Sequence, residues 1–344
     1  MLLSYLHRVA AREDLSAVDA HAAMLGILNG ESTVPQVAAF LVALRMKGET
    51  AAELTGFARA MREKSHRVDV ALDGAAGLEP LIDTCGTGGD GAGTFNISTI
   101  AAFVIAGAGV RVAKHGNRSI SSHCGSADLL EALGVHILPD PQHAAAAIRT
   151  VGIGFLFAPA HHPAMKHAHP ARLELKMRTV FNLLGPLTNP AGAQRQLIGA
   201  PAEHAAELMA WALAELGTER TFVVHGAGGL DEVSTLGPTT AFEVAAGAVT
   251  KLAWEPEDFG VARAVIEDVQ GGDLARNAEI AHAVLDGAHG PHRDIVLVNA
   301  AAALVAAGRG ETLLDGVEIA ARSIDSGAAQ AKLRELAAFT EART

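Results

Sequence analysis

Apolar positions in the first 65 residues recur at helical spacing. Val37, Phe40, Leu41 and Leu44 follow i, i+3, i+4, i+7, and Leu54, Phe57, Ala58 and Met61 repeat it. Ser16 with Asp19, Pro35, and Thr50 with Glu53 supply helix starts, and Asn29-Gly30 supplies a stop. Three amphipathic helices and no strand are expected here. From residue 80 the pattern alternates. Short apolar runs at 81–82, 110–112, 154–157, 221–224, 241–244 and 248–252 read as strands. Helices are expected over 98–106, over 128–133 with Ser126 as cap and Gly134 as stop, from Asp140-Pro141, and over 204–216 and 295–307. Strands alternating with helices give an α/β class: a small N-terminal all-helical domain and a larger α/β domain whose central sheet is flanked by helices. Segment 71–79 is the expected linker.

Composition narrows the chemistry. The 344 residues are 49% hydrophobic and 19% charged, enough to bury a large core and too ordered in pattern for a disordered chain. A net charge of −11 disfavours a generic nucleic-acid binder. Two cysteines, Cys85 and Cys124, cannot staple a chain of this size, which favours a reducing, cytoplasmic setting. No apolar run approaches the ~20 residues of a membrane span, and the N-terminus has no basic region ahead of its apolar residues.

The run Gly86-Thr87-Gly88-Gly89-Asp90-Gly91 matches G-x-G-x-x-G after a strand. A dinucleotide site also needs an acidic residue roughly 20 positions on. After Asp90 the next acidic residue is Asp128, so that reading fails. The acid-free stretch 91–127 carries Arg111, Lys114 and Arg118 among glycines and hydroxyls. Glycine backbone amides and a helix N-terminus near Asn96 suit an anion, and the loop from Lys114 to Ser119 follows the next strand. Two such loops imply a ligand with two phosphate groups. Asp231-Glu232, after a glycine-bearing turn, suit a hard cation such as Mg²⁺ completed by substrate oxygens. His161, His162, His167 and His169 lack partners at metal-ligand spacing and read as loop or helix-surface residues. Neither G-x-S-x-G nor a catalytic-cysteine signature is present.

DTCGTGGDGAGTFNIST (83–99), KHGNRSISSHCGSADLLEALGV (114–135) and FNLLGPLTNP (181–190) resemble the anthranilate phosphoribosyltransferase family of the tryptophan pathway. FLVALRMKGET (40–50), DEVS (231–234) and DIVLVNAAAAL (294–304) are similar to it as well. The resemblance covers nearly the whole chain. It implies a nucleoside-phosphorylase-like fold, with a helical unit of residues 1–70 joined by helices from about 163–185, an α/β unit of 71–344, and a cleft between them. It implies transfer of the 5-phosphoribosyl group of 5-phosphoribosyl 1-diphosphate to the amine of anthranilate, with Mg²⁺ as two ions on bound substrate, in a cytoplasmic homodimer that binds neither nucleic acid nor membrane.

By this resemblance Gly86, Gly89, Asp90, Thr94, Asn96, Ile97, Ser98 and Thr99 bind the ribosyl donor. Lys114, His115, Gly116, Asn117, Arg118, Ser119, Ile120, Ser121, Ser122 and Ser126 complete that site. Ser98, Asp231 and Glu232 hold Mg²⁺, and Gly86, Asn117 and Arg172 contact anthranilate. Lys114, Asn117 and Arg172 are the expected catalytic residues. Two departures stand out: His123-Cys124 replace a frequent Lys-Ser, and RLELKMR (172–178) lacks the glycine common before its last two residues. Pyrimidine nucleoside phosphorolysis on the same fold, or a non-enzymatic nucleic-acid-binding relative, are the competing functions.

Overall fold

The computed structural model describes residues 2–70, 80–88, 91–118 and 124–343. The linker expected at 71–79 lies outside these residues. The chain opens on four helices rather than three: α1 (Leu2–Ala10), α2 (Ala17–Leu28), α3 (Val34–Lys47) and α4 (Ala51–Glu63). The extra one, α1, is only nine residues long and carries no acidic residue in its first turn, so it lacks the start signals that mark its neighbours. The expected caps form. Ser16 Oγ accepts the Asp19 N–H at 3.1 Å, and Thr50 and Glu53 cap each other reciprocally at 3.2 and 2.9 Å; each such cap contributes ~1 kcal/mol. Phe40 and Phe57 meet edge to face at 6.2 Å in the middle of this bundle.

Beyond residue 80 the chain continues through β1 (Leu81–Gly86), α5 (Ile97–Gly107), β2 (Arg111–Gly116), α6 (Ser126–Ala132), α7 (Pro141–Thr150) and β3 (Ile153–Phe157). The short α8 (Ala158–His161), α9 (His169–Leu175) and α10 (Phe181–Leu184) follow. Ala168, Ala171, Val180 and Phe181 from this stretch are buried in the same core as the N-terminal helices. Then come β4 (Arg195–Gly199), α11 (Glu203–Leu216), β5 (Arg220–Gly226), β6 (Thr239–Ala245) and β7 (Ala248–Trp254). Four helices close the chain: α12 (Leu274–Leu285), α13 (Pro291–Ala306), α14 (Leu313–Asp325) and α15 (Ala328–Glu341).

The seven strands form one mixed sheet in the order β3-β2-β1-β4-β5-β6-β7. The first five are parallel, and β6 and β7 add an antiparallel hairpin. Connections leave β1 toward β2 on one side and return to β4 on the other. The strand order therefore reverses between β1 and β4, the place where open parallel sheets receive ligands at their C-terminal ends. Strand β1 extends through the DTCG run instead of stopping at Ile82, and β4 was not anticipated. Helix α6 is capped by Gly125 rather than Ser126: Asp128 Oδ2 accepts the Gly125 N–H at 3.0 Å, and Ser126 is the first helical residue. Helix α13 is buried along nearly its whole length against the sheet.

Candidate active site

Strands β1, β2, β4 and β5 all end in glycine: Gly86, Gly116, Gly199 and Gly226. Three of these endings have one reason. A Cβ on Gly86 would lie 2.4 Å from Asp231 Oδ2, on Gly199 1.5 Å from the Asp231 carbonyl oxygen, and on Gly226 2.5 Å from that of Glu232. The Asp231-Glu232 backbone thus runs directly over the ends of β1, β4 and β5, at contact distances only glycine allows. Asp231 Oδ2 accepts the Gly88 N–H at 2.7 Å, and Glu232 Oε1 accepts the Ser98 N–H at 3.2 Å at the start of α5. Ser98 is thereby brought beside the Asp231-Glu232 pair, 134 residues further along the chain.

Lys114, on β2, reaches the same place from below. It is buried, and its Nζ donates to the Thr84 carbonyl at 2.7 Å and to Ser98 Oγ at 3.3 Å. Burial lowers its pKa, and the negative charge of Asp83 opposes that shift. Asp83 itself is wholly buried. Its Oδ1 accepts the His115 N–H at 3.1 Å, and its Oδ2 accepts Asn189 Nδ2 at 2.8 Å. Burial pushes its carboxyl up, while Lys114 and these hydrogen bonds pull the other way. Asp83 and Asn189 were not singled out from sequence, although both lie inside quoted motifs.

The remaining expected residues divide by what their side chains face. Ile97 and Thr99 are buried in α5, and their N–H groups donate to the carbonyls of Phe95 at 2.8 Å and Asn96 at 3.1 Å. Asn96 Nδ2 donates to the Cys124 carbonyl at 3.0 Å, and Thr94 pairs with Gln270 in an isolated bridge. Ser126, at the start of α6, packs against the end of β2: its Oγ donates to the Asn117 carbonyl at 3.1 Å, and Asn117 Oδ1 accepts the Arg118 N–H at 2.7 Å. The Arg118 guanidinium is turned toward α6, at 2.9 Å from Asp128 and 2.6 Å from Glu131, so its charge is committed to those carboxylates. Gly89, Asp90, Ser119, Ile120, Ser121, Ser122 and His123 lie outside the described residues.

Arg172, on α9, lies half-buried with its guanidinium 5.1 Å over the Phe181 ring. Burial lowers its pKa, and no carboxylate pairs with it among the described residues. Arg178, not expected from sequence, donates from Nη2 to the Gly88 carbonyl and ties this segment to the glycine loop. The missing glycine has a structural counterpart: Lys176, at the C-cap of α9, adopts a left-handed backbone with φ 47° and ψ 34°. His161 and His162 correct the sequence reading, since both are buried instead of on a surface. The His162 ring lies 5.2 Å from that of His115, and burial holds the His162 pKa down at about 4. The Nε2 atoms of all three histidines are buried with no hydrogen-bond partner among the described residues.

The donor set fits a hard cation. Two adjacent carboxylates and a hydroxyl stand at the mouth of the strand ends, and no group of three or more His, Cys, Asp or Glu among the described residues could hold a metal alone. Mg²⁺ characteristically binds through one or two carboxylates and completes its shell with substrate phosphates and water.

Comparisons with known proteins give the family. Residues 3–65 match the model of the glycosyl transferase family, helical bundle domain, and residues 78–330 that of the glycosyl transferase family, a/b domain. The chain is 65% identical over 342 residues to an anthranilate phosphoribosyltransferase of Solibacter usitatus, covering 99% of each. It is 53% identical to one of Symbiobacterium thermophilum, covering 97% and 96%. The crystal structure of the Thermus thermophilus anthranilate phosphoribosyltransferase superposes with a TM-score of 0.90 at 44% identity, over 98% of this chain and 99% of that one. The Saccharomyces cerevisiae enzyme, solved in complex with PRPP and Mg, gives 0.87 at 30% identity, over 99% and 98%. On its fold, its motifs and its full-length identity, the chain belongs to the anthranilate phosphoribosyltransferase family.

Proposed function

We infer that the chain transfers the 5-phosphoribosyl group of 5-phosphoribosyl 1-diphosphate to the amine of anthranilate, releasing diphosphate, as a step of tryptophan biosynthesis. The observation that carries this is the meeting of Asp231, Glu232, Ser98 and Lys114 over glycine-ended strands, in a chain 65% identical to a named enzyme of that activity.

The chemistry follows from where charge develops. As the bond from the anomeric carbon to diphosphate breaks, negative charge grows on the leaving group and positive charge on the ribose. Lys114, held by Thr84 and Ser98, would face the growing negative charge without reorganising. Ser98, Asp231 and Glu232 would hold Mg²⁺, proposed as two ions with the donor bound, supplying charge neutralisation of the diphosphate. Gly86, Gly89, Asp90, Thr94 and Asn96 to Thr99, with the run Lys114 to Ser122 and Ser126, form the proposed donor site. Arg118 lies in this run with its guanidinium turned to Asp128 and Glu131.

Arg172 is the proposed anchor for the anthranilate carboxylate, with Gly86 and Asn117 beside the acceptor. A guanidinium without a carboxylate partner suits a bidentate bond to one. The aryl amine already has a free lone pair at neutral pH, so it needs positioning rather than a general base. Arg172→Ala should raise the KM for anthranilate at least tenfold, the order of one lost charge-assisted bond, and leave that for the ribosyl donor within about twofold. Equal effects on both would remove the assignment.

The organisation proposed is a helical unit of residues 1–70 completed by 163–185, an α/β unit of 71–344, and a site in the cleft between them. A homodimer is proposed on the exposed Leu3, Met46, Leu173 and Met177 of the helical unit. Both cysteines are free, in keeping with a reducing cytoplasm. Diphosphate release that requires both substrates tests the reaction; phosphorolysis of a pyrimidine nucleoside in its place would reverse it.

A further inference from the structure

Asn299 is wholly buried in α13, surrounded in sequence by valine, leucine and alanine. An amide in such a place is costly unless it is paired. Here it is paired almost entirely with one peptide unit: Oδ1 accepts the Val233 N–H at 2.9 Å, and Nδ2 donates to the Val233 carbonyl at 2.9 Å. The second Nδ2 hydrogen goes to the Ile295 carbonyl at 2.8 Å, one turn back in the same helix. The amide therefore does for Val233 what a neighbouring strand would do, in a stretch that has neither helix nor strand pairing of its own. Val233 directly follows Asp231-Glu232. On their other side these residues press on strand-end glycines at distances that leave no slack.

We propose that Asn299 is a positioning residue for the metal site: by clamping both polar groups of Val233 it fixes the backbone from which the Asp231 and Glu232 carboxylates project. Asn299 touches no ligand and acts only through Val233. The proposal rests on the reading of these carboxylates as Mg²⁺ ligands. Losing a partner that orients metal ligands costs roughly 10–100-fold in metal affinity. Anthranilate, held from the other wall of the cleft, should not feel the change.

The test uses the full chain with Asn299→Leu, which removes both bonds at similar volume, and Asn299→Asp, which keeps the acceptor for the Val233 N–H. Two quantities are read: the Mg²⁺ concentration for half-maximal activity, and Mn²⁺ binding by electron paramagnetic resonance with the ribosyl donor present and anthranilate absent. The expected result is at least a tenfold weakening of both in Asn299→Leu, a smaller one in Asn299→Asp, and an anthranilate KM within about twofold of the unmodified chain. If Asn299→Leu does not fold, the Asn299→Asp shift carries the test. Unchanged metal constants in the folded variants, or a parallel loss in every constant, overturn the proposal. Metal-independent turnover by the unmodified chain would instead overturn the parent reading, and this inference with it.

Discussion

Buried ionisable side chains define the site at the residue scale. Asp83 and Lys114 lie under the loops that follow β1 and β2, and His115 and His162 face each other beside them. Where a histidine is held neutral by burial, the sign of its effect on stability is fixed. The unfolded chain takes up a proton near the ordinary value of 6.5, and the folded chain refuses it down to about 4 for His162. Stability is therefore full above about pH 6.5 and falls as the pH drops toward 4, by up to about 3 kcal/mol from this residue. Between pH 7.5 and 5.0 the unfolding free energy should fall by about 2 kcal/mol more in the unmodified chain than in His162→Asn. Equal pH dependence in the two would contradict the buried neutral state. Sequence spacing did not reveal these histidines, because the burial of His162 depends on β2 and on the 186–190 segment rather than on its own neighbours. Asp83, by contrast, sits in a motif that was legible, and only its role was not.

Elements explain why some residues could be read and others could not. Caps at Ser16 and Thr50, and the strand-ending glycine runs, are local signals and were visible. Strand β4 was missed because its five residues, RQLIG, carry no alternation, and α1 because nine residues give too short a period. The crossing of the Asp231-Glu232 segment over β1, β4 and β5 is a tertiary fact with no local trace. It makes Gly199 a severe test: Gly199→Ala should leave little metal-dependent activity, since its Cβ would collide with the Asp231 backbone. Wild-type metal response in that variant would contradict the packing described. Lys176 offers the opposite case. A non-glycine residue in the left-handed region costs roughly 1 kcal/mol. Lys176→Gly should therefore raise the melting temperature by one to a few degrees with unchanged kinetic constants. A lower melting temperature would contradict this.

At the scale of the whole molecule, a net charge of −11 coexists with a stretch from 91 to 127 that holds no acid, so the acidic groups are excluded from the loop that follows β1 and from β2. That contrast, together with the motifs at 83–99, 114–135 and 181–190, made the function legible from the chain, while the packing of Asp231-Glu232 over the strand ends was not. Arg178 bridges the segment after α9 to the glycine loop. Replacing it by glutamine should raise the KM for the ribosyl donor several-fold, as expected for one lost charged hydrogen bond; an unchanged value would show the bridge to be incidental. Transfer to anthranilate can be followed by anthranilate fluorescence with purified protein, 5-phosphoribosyl 1-diphosphate and Mg²⁺. The expected result is a loss of fluorescence that needs all three and stops on adding EDTA. Persistent fluorescence with folded protein, or decay that EDTA leaves untouched, would contradict it.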